Sequence, residues 1–128
     1  MGPNDMHELS IAYELVNSAV AAAEDVGGTK VNTVYLRLGA LSGVVKDALL
    51  FGFEIAAQGT LLEGAHLVVE ETPVVVYCEV CAKDVALASI QRFICSICGA
   101  PTARVVQGRE IELRSLEVET DGGDLPNQ

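Results

Sequence analysis

The chain has 128 residues, 50% of them hydrophobic, with 18 acidic side chains against 8 basic ones and a formal net charge of -10. That length supports one modest core and a small stapled appendage, and no apolar run approaches the roughly 18 residues that a membrane-spanning helix needs. The charge argues against nucleic acid, because phosphate binding needs clustered Lys and Arg, whereas the basic residues here are scattered.

An acidic surface instead favours protein partners with basic faces and repels anionic membranes. Met1–Asp5 lacks the basic and apolar regions of a secretory leader, so a cytoplasmic protein is expected. This lead reads as a short polar, disordered segment. Asp5 is placed to cap the next helix, with Glu8 three residues on in a capping-box arrangement. Met6–Val26 reads as an amphipathic helix, with Leu9, Ala12, Leu15, Val16, Ala19, Val20 and Ala23 recurring at helical spacing. Gly27 and Gly28 end it.

Val31–Leu41 alternates as a strand, with Val34, Leu36 and Leu38 on one face and Thr33, Tyr35 and Arg37 on the other. A turn at Gly39–Gly43 leads to a second helix over Lys46–Gln58, whose buried stripe is Leu49, Leu50, Phe53 and Ala57. A loop between Gly59 and Gly64 precedes a strand at Ala65–Glu71, with Leu67 and Val69 facing the core. Pro73 marks a boundary. After the cysteine-bearing segment, Thr102–Gln107 leads back, and Arg109–Glu119 alternates again, with Ile111, Leu113, Leu116 and Val118 against charged neighbours. Its phase slips between Leu113 and Leu116, which predicts a bulge or bend. Asp121–Gln128 reads as a disordered polar tail.

The expected fold is therefore α+β: two helices packed on a small mixed three-stranded sheet, with an inserted zinc-ribbon-like four-cysteine module. Residues 1–72 make the α/β domain and 108–120 return as its last strand; 73–107 form the metal module and 121–128 the tail.

All four cysteines lie in that module. Cys78-Glu-Val-Cys81 and Cys95-Ser-Ile-Cys98 are separated by thirteen residues. Two such knuckles can aim four thiolates at one tetrahedral ion, and Val85–Phe93 can run out and back to bring the second knuckle to the first. A closed four-sulfur set points to structural zinc; rubredoxin-like iron would use the same ligands, and two disulfides are the alternative without metal. With every position filled by protein, such a site orients a module and leaves no place for a substrate.

No catalytic constellation emerges, so no enzyme is expected. His66 opens a strand and reads as a surface residue. Gly27-Gly-Thr-Lys30 lacks the residues of a phosphate loop. Glu117, Glu119 and Asp121 read as a solvated strand face and tail. His7 has two readings. One is a solvated histidine at a helix start. The other holds for a chain starting at Met6, where the amine of Met6, the backbone nitrogens of His7 and Glu8 and the His7 imidazole form a compact nitrogen set. Such a set favours square-planar nickel(II) or copper(II). The first N–H groups of a helix lack intrahelical partners, so giving up those amides would break no helix bond.

Met6-His-Glu-Leu-Ser10 together with the two Cys-x-x-Cys pairs resembles the HypA/HybF family of hydrogenase nickel-incorporation proteins. The resemblance runs from Met6 to about Glu119 and includes Leu38-Gly-Ala-Leu-Ser42 and Arg114-Ser-Leu-Glu117. It implies a nickel metallochaperone with Ni2+ as cargo on Met6, His7 and Glu8, making 1–72 the nickel-binding domain. It implies structural Zn2+ on Cys78, Cys81, Cys95 and Cys98. It also implies a HypB-type GTPase as partner and the large subunit of nickel–iron hydrogenase, or urease, as recipient, with a monomeric or homodimeric chain. Some family members carry an acidic residue in the turn after the first strand, where Val45 stands here with Asp47 nearby. The alternative is a zinc-ribbon protein-interaction adaptor without metal cargo.

Overall fold

The computed structural model describes residues 3–121, with side chains from His7 onward. Its elements are α1 (Pro3–Asp25), β1 (Gly28–Gly39), α2 (Lys46–Ala57), β2 (His66–Thr72), β3 (Val75–Cys78), β4 (Lys83–Ala86), β5 (Val105–Gln107) and β6 (Ile111–Thr120). They form two three-stranded sheets, ordered β2-β1-β6 and β4-β3-β5.

The chain divides into two compact units. One takes in the chain up to Leu36, Val44–Val69 and the chain from Leu113 on; the other is Arg37–Gly43 with Glu70–Glu112. In the first unit the predicted stripe of α1 is the buried one: Ala12, Leu15, Val16, Ala19 and Ala23 are sequestered together with Val31, Val34, Leu36, Leu49, Phe53 and Leu62. Burying a side chain such as Leu49 or Phe53 contributes about 1.5–3 kcal/mol each. The helices approach closely because Gly52 offers no side chain: a Cβ there would lie 3.4 Å from Leu9 Cα and from Ala12 Cβ. Leu67, Val69, Leu113, Leu116 and Val118 pack on the same cluster. The phase slip of the last strand is thus real: Leu113 and Leu116 are both inward although three apart, while Ile111 is exposed.

Two expectations change. The helix starts at Pro3, so Asp5 lies inside it and the polar lead is helical from Pro3 on. Proline is suited to a first helical position because its fixed φ matches the helix and its missing N–H would have no partner there. Residues 105–107, read only as a return, form β5 paired antiparallel with β3. Glu117 and Glu119 are exposed as expected, and each also has a partner: Tyr35 OH donates to Glu117 at 2.8 Å and Asn32 Nδ2 to Glu119 at 2.9 Å. The tail over 122–128 lies outside the described residues.

In the second unit, the backbone after β1 is tied to the strands around it. Gly39 N–H donates to Glu110 O (2.7 Å), Ala40 N–H to Thr72 O (3.0 Å) and Leu41 N–H to Gly108 O (2.6 Å). A Cβ on Gly39 would come within 2.2 Å of the Gly108 carbonyl oxygen, so this backbone approach requires glycine.

Candidate metal centres

The four cysteines are brought together by short local devices. Cys78 ends β3, and β4 returns antiparallel with Cys78 opposite Lys83, so the first knuckle is the turn of a hairpin. The second knuckle follows a tight reversal marked by the Ser89–Arg92 bridge and is closed by the Ile94–Pro101 bridge. Cys95 N–H donates to Ala100 O at 2.8 Å, and Gly99 N–H returns to Cys95 O at 2.9 Å. Each knuckle turns through a left-handed residue just after its second cysteine: Ala82 (φ 57°) and Gly99 (φ 78°).

All four sulfurs lie within 4.8 Å of one another. Cys78 Sγ and Cys98 Sγ are 3.6 Å apart, and Cys81 Sγ and Cys95 Sγ 3.9 Å. Metal–sulfur bonds of about 2.3 Å in a tetrahedron separate sulfurs by about 3.8 Å, so the spacing suits one tetrahedral ion. A disulfide needs about 2.05 Å, and all four thiols are free, which sets the paired-disulfide alternative aside. Cys78, Cys95 and Val85, with Cys81 against them, form this unit's own small hydrophobic cluster. A core built largely from ligands depends on the ion they hold.

The electrostatics agree. Cys95 Sγ accepts N–H groups from Cys98 (3.5 Å) and Ile97 (3.3 Å). These, the Cys98 amide first, hold its thiol down to about 6 despite burial. Cys81 is pushed up to about 12, chiefly by its hydrogen bond with Cys98 and by burial. Sulfurs this close cannot all ionise by themselves; a divalent cation supplies the charge that lets them. The donor set, its spacing and its closed tetrahedral form fit structural zinc, with nothing left open for a substrate.

The amino-terminal candidates sit differently. Met6, His7 and Glu8 are in the second turn of α1. His7 is exposed, whereas the Glu8 side chain is wholly buried. Because the helix begins at Pro3, the amides of His7 and Glu8 fall within its hydrogen-bonding register, opposite the carbonyls of residues 3 and 4. The expectation of amides without partners applies to a chain starting at Met6, whereas in the chain as numbered residues 3 and 4 precede them in the helix. Glu8 Oε2 accepts the N–H of Val45 at 2.6 Å. The sequence carries a signal for this burial: Glu8 lies one four-residue step before Ala12 on the core stripe of α1. Asp47 is exposed in the first turn of α2, and His66 is exposed on β2 as predicted. Among the described residues, the four cysteines are the one convergent group of three or more His, Cys, Asp and Glu side chains. No helix among them is long and apolar enough to cross a membrane.

Known proteins resemble this chain over nearly its whole length. The family model described as hydrogenase/urease nickel incorporation, metallochaperone, HypA matches residues 6–118. The hydrogenase maturation factor HypA of Roseiflexus sp. (strain RS-1) is 57% identical over 116 residues, covering 91% of this chain and 94% of that protein. That of Chloroflexus aggregans is 52% identical over 112 residues, covering 88% and 98%. The solution structure of the nickel metallochaperone HypA from Helicobacter pylori superposes with a TM-score of 0.66 at 23% identity, over 89% of this chain and 98% of that one. A second solution structure of a HypA protein gives a TM-score of 0.68, also at 23% identity.

Proposed function

The chain belongs to the HypA family of hydrogenase/urease nickel-incorporation metallochaperones, and from that premise we propose that its nickel is held at His7 with the backbone nitrogens of Met6 and Glu8. The function is that of a metallochaperone in hydrogenase maturation. The observation that carries the site assignment is the pairing of an exposed imidazole at His7 with a neighbour, Glu8, whose side chain is buried. Such an arrangement leaves one side chain and the local backbone as donors, a set suited to planar nickel(II). Residues 1–72 with 108–120 serve as the nickel-binding domain and 73–107 as the zinc module, with zinc on Cys78, Cys81, Cys95 and Cys98. A HypB-type GTPase is the partner, and the large subunit of nickel–iron hydrogenase, in the cytoplasm, receives the metal. The protein is a carrier without enzymatic activity of its own, in keeping with a closed zinc site and a single-histidine cargo site.

The test is a nickel titration with metal analysis on two versions, one as numbered and one beginning at Met6. In the shorter version the carbonyls of residues 3 and 4 are gone, so the amides of His7 and Glu8 lose their helical partners and Met6 gains a free amine. It is expected to bind one nickel in a planar, nitrogen-rich site at least tenfold more tightly than the full chain. His7→Ala should abolish that binding and leave zinc at one equivalent. Absence of nickel binding in both versions, with zinc retained, sinks the assignment. It would favour the adaptor reading, which the exposed Val80 and Ile97 at the two knuckle tips support.

A further inference from the structure

The first unit contains a buried carboxylate whose role neither the core nor the metal donors explain. Glu8 is 0% exposed. One of its oxygens accepts the Val45 N–H at 2.6 Å, and the other, Oε1, has no hydrogen-bond partner among the described residues. Burying a carboxylate is costly unless something holds it. What holds it here is the start of α2. Val45 is the N-cap of that helix and has no side-chain oxygen with which to cap it. Its N–H is one of the donors that a helix start leaves without an internal partner, and the positive end of the helix favours a negative charge beside it. Glu8 thus gives α2, from a position 37 residues away, the cap that its own sequence lacks.

The same bond acts on α1. Consecutive residues leave an α-helix about 100° apart, so Glu8 points inward as an anchor while His7 beside it faces solvent. The first two turns of a helix near a chain end fray unless something ties them down. Fraying of this turn would scatter the nitrogens on either side of His7. We propose that the Glu8 carboxylate is a positioning residue for the nickel site: by bonding to Val45 it fixes the backbone turn that presents His7 and its neighbouring nitrogens. The inference rests on the nickel reading of His7. It adds that the Glu8 side chain works by reach and hydrogen bonding to the start of α2, and that its charge is not what nickel senses.

The experiment compares nickel(II) binding by the wild-type chain with Glu8→Gln, Glu8→Asp and Glu8→Ala. Zinc content and the folded fraction are checked for each, in whichever of the two chain versions binds nickel. Gln keeps the length and an acceptor for the Val45 N–H; Asp keeps the charge but is one methylene short. Positioning predicts a graded loss in which Gln, which keeps the length and the acceptor, falls least, while Asp and Ala lose tenfold or more with zinc unchanged. In the wild type, nickel should also shift the Val45 amide resonance. Wild-type binding by Glu8→Asp, or a loss in Glu8→Gln equal to that in Glu8→Ala, overturns the proposal. If Glu8→Ala does not fold, the Gln–Asp comparison decides it. Failure of the wild type to bind nickel at all brings down the His7 reading and this inference with it, an outcome distinct from a variant series that leaves binding unchanged.

Discussion

The two knuckles of the cysteine module differ at one equivalent position, and the difference can be measured. Ala82 follows Cys81 at φ 57° and Gly99 follows Cys98 at φ 78°; Ala82 is the one non-glycine with positive φ among the described residues. In this region an L side chain crowds the following carbonyl oxygen, at a cost of about 1–2 kcal/mol. Replacing Ala82 by Gly removes that strain but gives the unfolded backbone more freedom, which takes back about 0.5–1 kcal/mol. Ala82 is exposed, so little packing is lost with its methyl group. The net gain expected for Ala82→Gly is about 0.5–1 kcal/mol. Gly99→Ala isolates the opposite backbone effect, since a Cβ there would meet nothing within 4 Å. Metal binding and folding of such a module are linked, so these energies appear as a two- to fivefold change in zinc retention against a competing chelator. Ala82→Gly should retain zinc more tightly and Gly99→Ala less, with the double variant close to wild type. Weaker retention in Ala82→Gly, or no loss in Gly99→Ala, would refute the assignment of these residues as the left-handed turns of a metal-closed pair of knuckles.

Cys95→Ala removes a buried thiol whose sulfur accepts two amides; metal analysis should find zinc lost, and an unchanged melting curve would count against a structural site. Phe53→Ala empties a position 2% exposed in the core of the first unit and should cost about 3–5 kcal/mol in denaturant unfolding. Glu110 is held below its ordinary value of 4.5 by the Thr72 hydroxyl first and then by the Gly108 amide. Its contribution is therefore present above that value and is lost as pH falls through its lower folded value. Glu110→Gln should be less stable than wild type near neutrality by under about 1 kcal/mol, because water reaches the carboxylate. The two melting curves should converge as pH falls below the ordinary carboxylate range.

Much of the molecule was written locally. The α1 stripe from Ala12 to Ala23 and the start of α2 at Lys46 follow from periodicity. So do the alternation of β1 and the phase slip between Leu113 and Leu116. The convergence of Cys78, Cys81, Cys95 and Cys98 follows from spacing, because two short knuckles joined by a thirteen-residue excursion have few ways to arrange four sulfurs. What the sequence did not reveal depends on partners far along the chain. A three-residue stretch such as Val105–Gln107 is too short to carry a period, and it becomes a strand only because β3 offers it hydrogen bonds. The polar lead became helix because Pro3 starts it where Asp5 had looked like the cap. Glu117 and Glu119 found Tyr35 and Asn32 across the sheet. Spacing determined that four thiols converge as a set able to hold one metal ion, and the resemblance carried by Met6-His7-Glu8 supplied the nickel reading of the first helix. Tertiary structure alone decided that His7 faces solvent while Glu8 turns inward to the amide of Val45, because burial and long-range hydrogen bonds are settled only when distant segments meet.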